Sequence, residues 1–129
     1  MKYFLITISV LFFSCSESDD NDSVNQSSMI NPPAWIQGHW ESESQISFTF
    51  TENNIIYTLF GQTGLNYNQA IELTQQVGQT PIVNEEITDS QYNIKILLPP
   101  NPEVYYKFKK LSDTEFIWEN NNNLILTKG

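Results

Sequence analysis

The chain has 129 residues, with six lysines and no arginine against fifteen acidic residues, a net charge of −9 and one cysteine. Phosphate neutralisation needs clustered basic residues, so with six lysines against fifteen acids no nucleic-acid partner is expected, and a lone cysteine excludes an internal disulfide. Beyond residue 14 every aromatic side chain lies at Trp35 or later, which bounds the folded part to one domain over residues 34–129.

In chain order, Met1 and Lys2 precede a mostly apolar run over 3–13, then the small Ser14 and Cys15. This layout is that of a secretory signal. A bilayer-spanning helix needs roughly 20 apolar residues, so residues 1–14 are expected to be removed. Leu11, Phe12, Phe13, Ser14 and Cys15 resemble the lipobox of bacterial lipoproteins. The resemblance implies that acylated Cys15 becomes the first residue and holds the protein on a lipid bilayer.

Residues 15–33 are polar and acidic, with no aromatic residue and too little apolar surface to offset the entropy of ordering. They are expected to form a flexible tether. Within it, Ser18, Asp19 and Asp20 resemble the short acidic export signal that carries lipoproteins of bacteroidete-type bacteria to the outer face of the outer membrane. The alternative is an ordinary charged linker. A calcium loop beginning at Asp19 fails at Val24 and Ile30, where the turn glycine and the bidentate glutamate would be required. Asp22, Ser23 and Val24 resemble the acceptor of bacteroidete O-glycosylation, which makes Ser23 a candidate site. A bulky sugar is best accommodated on such an unpacked segment.

From residue 34 onward the hydrophobic period is two. Pro32 and Pro33 end the tether, residues 34–36 suit one helical turn, and a strand opens at Gly38. Ile46, Phe48 and Phe50 alternate with Ser47, Thr49 and Thr51, which predicts a half-buried strand with one apolar face. Residues 52–54 supply a turn and 55–60 the hairpin return. Further strands are predicted near 83–88, 92–98, 104–109, 116–118 and 124–126, for about eight in all. One segment, 66–77, has helical spacing, with Asn66 as its cap and Leu65, Ile71 and Val77 as expected anchors. The predicted fold is therefore all-β. It is an antiparallel meander closing into a barrel, interrupted after its third strand by one short helix.

Gly38, His39 and Trp40 on the first strand, with the helical turn before them, resemble the Gly-X-Trp motif of lipocalins. The stretches 33–40 and 48–54 resemble small lipocalin-like lipoproteins of bacteroidetes. The resemblance covers residues 34–129 and implies a lipocalin-like barrel with Trp40, Phe48, Phe50, Phe108 and Trp118 in its core. Two departures stand out. The helix lies within the sheet rather than after it, and the arginine that commonly packs on the lipocalin tryptophan has no counterpart in a chain without arginine.

No residue pattern demands catalysis, a cofactor or a metal. His39, the only histidine, is predicted to point outward in a row with Glu41 and Glu43, usually just the wet face of a strand, whereas catalytic zinc recruits three protein ligands with support behind them. Glu85 with Glu86, or Glu115 with Glu119, could form the carboxylate pair of a glycosidase, but Glu85 and Glu86 are expected on opposite faces of a strand, and Glu115 and Glu119 on an outer face beside turns where nothing desolvates them. Trp35 either plugs a barrel end or offers a platform for a sugar ring, and outward Tyr105 could offer another. The expected function is that of a lipid-anchored surface module, non-catalytic, meeting a protein or glycan partner. The alternatives are a carrier of a small apolar or sugar ligand and, third, an enzyme built on a carboxylate pair. The inward aromatic residues are bulky enough to fill a short barrel, so recognition is expected on the outside.

Overall fold

The structure, a computed structural model, describes residues 29–129. A single 3-10 turn, Ala34–Ile36, leads into β1 (Gly38–Glu41), β2 (Ile46–Phe50), β3 (Ile55–Leu59) and β4 (Gln62–Asn66). Helix α1 (Tyr67–Gln76) follows, and then β5 (Ile82–Ile87), β6 (Gln91–Leu97), β7 (Val104–Ser112), β8 (Glu115–Trp118) and β9 (Leu124–Lys128). All nine strands belong to one antiparallel sheet in the order β4-β3-β2-β1-β9-β8-β7-β6-β5. The last strand pairs with the first through Thr127 opposite Glu41 and Lys128 opposite Trp40. The meander thus curls into a lipocalin-like half-barrel, and among the described residues its two unpaired edges are β4 and β5, the strands on either side of α1.

Nine strands replace the eight expected, and the added one is β4. Its hairpin with β3 turns through Phe60 (φ 53°) and Gly61 (φ 76°), with Leu59 paired to Gln62 on either side. Two consecutive positive φ values define the two-residue turn that matches strand twist. A phenylalanine rarely adopts that conformation, so the turn carries no sequence signal. The helix consequently follows the fourth strand rather than the third.

Asn66 caps α1 as expected, its side chain accepting from the Gln69 N–H. The anchors differ in part. Tyr67, Ile71 and Thr74 form the buried stripe, and Leu65 packs against the core from β4. Val77 is 73% exposed, because it lies past the last helical residue and one turn beyond the exposed Leu73. A second link holds the helix start: buried Asn54 accepts from the N–H groups of Ile55 and Asn68 and donates to the Asn66 side chain.

Period two decides the core. Trp40, Phe48, Phe50, Tyr92, Ile94, Ile96, Phe108, Phe116 and Leu126 are buried, and each alternates with an outward neighbour, as a pleated strand requires. The core also reaches back past residue 34. Ile30 is fully buried, and the Asn31 N–H donates to the Glu85 carboxylate at 2.7 Å.

Candidate functional site

Whether the barrel can hold a ligand is decided by its inward rings. Phe48 on β2 and Phe108 on β7 belong to opposite walls, yet their centroids are 5.3 Å apart. Phe50 meets Phe108 at 5.5 Å and Phe116 at 5.9 Å, while Phe48 meets Trp118 at 5.1 Å. Such edge-to-face spacings are those of direct contact. The walls touch through their side chains, and the interior is occupied.

Of the five aromatic residues expected in the core, Trp40, Phe48, Phe50 and Phe108 are buried and Trp118 is partly so. The Trp40 indole N–H donates to the Ile36 carbonyl at 2.7 Å, which ties the first strand to the 3-10 turn. Lys128 lies against Trp40. Its Nζ lies 5.4 Å from the Trp40 ring centroid, within the reach of a cation–π contact. Gly38 makes room for it: a Cβ there would sit 2.9 Å from Lys128 Cε, and φ is +127°. Trp35 is half-buried and borders a surface hollow with Ile87 and Thr88. It packs against the core and donates its indole N–H to the Thr88 carbonyl at 3.0 Å.

The groups considered for chemistry do not converge. His39 points outward as predicted and bonds Thr49 and Glu41, each at 2.9 Å. Glu43 lies in the turn after β1 and does not join them. Among the described residues no three His, Cys, Asp or Glu side chains are grouped to hold a metal. Glu85 and Glu86 face opposite sides of β5. Glu85 turns inward, where it accepts from the Tyr92 hydroxyl at 2.6 Å and from Asn31. Glu86 turns outward to Asn93. Glu119 accepts from Gln91 at 2.8 Å, and no hydrogen bond or ion pair links it to Glu115.

Besides hollows next to Phe60 and next to Trp35, two surfaces stand out. One is a wide cleft of about 720 Å³ between the β1–β2 and β8–β9 turns, bordered by Glu41, Glu43, Glu115, Asn122 and Asn123. The other is the outer face of β5, β6 and β7, where Asn84 pairs with Lys95 and Lys95 in turn with Tyr105. With Glu86 and Asn93 these residues line a hollow of about 170 Å³. Tyr105 is 38% exposed, and the Lys95 ammonium stands 5.4 Å from its ring centroid. Lys107 and Lys109 continue the same outward row, opposite Asn93 and Gln91. Sequence reading identified Tyr105 as outward but not its amide neighbours, because register between strands, not alternation within one, brings them together.

Cys15, Ser18, Asp19, Asp20 and Ser23 lie outside the described residues. Among the described residues no helix is long and apolar enough to cross a membrane. Comparison with known protein families, with curated proteins and with solved structures finds no match.

Proposed function

We propose that this protein is a lipid-anchored lipoprotein of the cell envelope, displayed on the outer membrane, whose barrel is a non-catalytic interaction module working through its outer surface. The observation behind this reading is the contact between opposite walls, Phe48 on Phe108 at 5.3 Å. A carrier needs a cavity of about 300 Å³ or more, and rings in contact leave no such space between these walls. Anchoring rests on the signal-like run that ends at Cys15, surface display on Ser18, Asp19 and Asp20, and the resemblance to bacteroidete lipocalin-like lipoproteins on Gly38, His39 and Trp40.

The test has two parts. Mass spectrometry of protein from membranes should find an acylated amino-terminal Cys15, and protease treatment of intact cells should remove the domain. An intact Met1 or a free Cys15 thiol refutes the anchor, and protection from protease refutes display. A mass unchanged by Ser23→Ala refutes glycosylation at that site. An apolar fluorescent probe should gain no emission on mixing with the folded protein; saturable uptake would put the carrier reading first.

A further inference from the structure

Four of the five lysines in the described residues lie on β6 and β7, and three of them, Lys95, Lys107 and Lys109, share the outer face with Tyr105. Lysines on a sheet commonly guard an edge strand against pairing with another chain. That explanation fails here. Strand β7 lies between β6 and β8, and the free edges β4 and β5 carry no lysine. Nor do ion pairs account for them. Among the described residues Lys95, Lys107 and Lys109 have no carboxylate within 4.0 Å, although acidic residues outnumber lysines about two to one in this part of the chain. The two nearby carboxylates are held by amides instead: Glu86 accepts from Asn93 at 3.2 Å and Glu119 from Gln91 at 2.8 Å.

We infer that the outer face of β5, β6 and β7 is a binding site for an acidic polysaccharide, one uronate ring lying in the hollow beside Tyr105. Each group has a role suited to that ligand. The Tyr105 ring, partly exposed, offers an apolar face to the C–H side of a pyranose. Lys95, now over that ring, is long enough to swing aside and meet the sugar carboxylate, with Lys107 and Lys109 placed for the carboxylates of neighbouring rings. Asn84, Asn93 and Glu86 supply donors and acceptors for ring hydroxyls. At about 170 Å³ the hollow is smaller than an ordinary ligand pocket of about 300 Å³. It suits one ring of a chain that continues across the lysine row. This site rests on the outer-surface reading above and names its ligand.

The test is calorimetric titration of the full chain in detergent with tetragalacturonate, neutral maltotetraose and inorganic phosphate. Tetragalacturonate should bind, at least about tenfold tighter than maltotetraose, and weaken as salt is added. Tyr105→Ala should lower its affinity by about tenfold. Lys107→Gln and Lys109→Gln should each lower it by about two- to fivefold, as exposed ion pairs do, whereas Lys128→Gln, on a distant strand, should leave it unchanged. Unaltered circular dichroism establishes that the variants fold. Absence of tetragalacturonate binding, equal binding by Tyr105→Ala, or equal binding of phosphate overturns the site. Uptake of an apolar probe by the same preparation would instead overturn the outer-surface reading, so the two failures are distinguishable.

Discussion

At the residue scale, Trp40 joins three parts of the molecule: its indole donates to Ile36, its ring meets Phe116 at 4.9 Å, and Lys128 lies against it. Trp40→Ala is expected to cost about 3 to 5 kcal/mol, the range for truncating a buried large aromatic side chain. Denaturant unfolding checks it, and a loss under about 1 kcal/mol would mean that the site collapses without penalty. The buried tyrosines set the behaviour in alkali. Burial pushes the Tyr92 hydroxyl above its ordinary pKa of 10.0, and its hydrogen bond to the Glu85 carboxylate adds to the shift. Burial does the same for Tyr106, reinforced by Tyr67. The folded state therefore keeps protons that the unfolded chain releases above about pH 10, and stability must fall as pH rises through that range. Urea midpoints measured between about pH 8 and about pH 11 should decline, and Tyr92→Phe should make the decline shallower. An unchanged slope in that variant would show that Tyr92 does not contribute.

At the scale of the element, α1 is held by a narrow stripe, and its two apolar ridges should respond differently to substitution. Ile71 is 6% exposed whereas Val77 is 73% exposed. Ile71→Ala is expected to destabilise by about 2 to 5 kcal/mol, and Val77→Ser to change stability by less than about 0.5 kcal/mol. Thermal unfolding of the pair distinguishes them. A large loss from Val77→Ser would mean that a partner surface covers the helix end. The first turn has its own support in Asn54, whose side chain bonds the start of both β3 and α1. The hairpin β2–β3 and the helix therefore share one polar residue, and local order in the helix follows that of the turn.

At the scale of the whole molecule, β1 and β9 pair in the middle of the sheet, while among the described residues the strands flanking α1 stay unpaired, so the sheet curls without closing. The chain preceding β1 is fastened from inside by Glu85, which takes hydrogen bonds from both Asn31 and Tyr92. Glu85→Ala leaves a buried tyrosine hydroxyl without its acceptor, a change expected to cost about 1 to 3 kcal/mol. It should also free residues 29–33, so that limited proteolysis cuts there faster than in the unaltered protein. Cleavage at an unchanged rate would mean that burial of Ile30 and the bonds to Pro32 and Pro33 hold the segment without Glu85.

The alternation of apolar and polar residues was enough to read the all-β class, the inward aromatic set and the helix with its Asn66 cap, because a strand's period and a helix cap are properties of a few consecutive residues. Strand β4 escaped this reading, since Gln62–Asn66 has little apolar character and its turn uses a phenylalanine at positive φ. Val77 was misplaced because helical spacing says which residues share a face but not where the helix stops bearing on its neighbour. Only the tertiary structure decided that opposite walls meet, that Lys128 stands over Trp40, and that three lysines without an ion pair among the described residues gather around Tyr105 on two strands inside the sheet. Each of these depends on register and closure between segments far apart in the chain, and pairing at that distance is set by the packing of the whole sheet rather than by any local pattern.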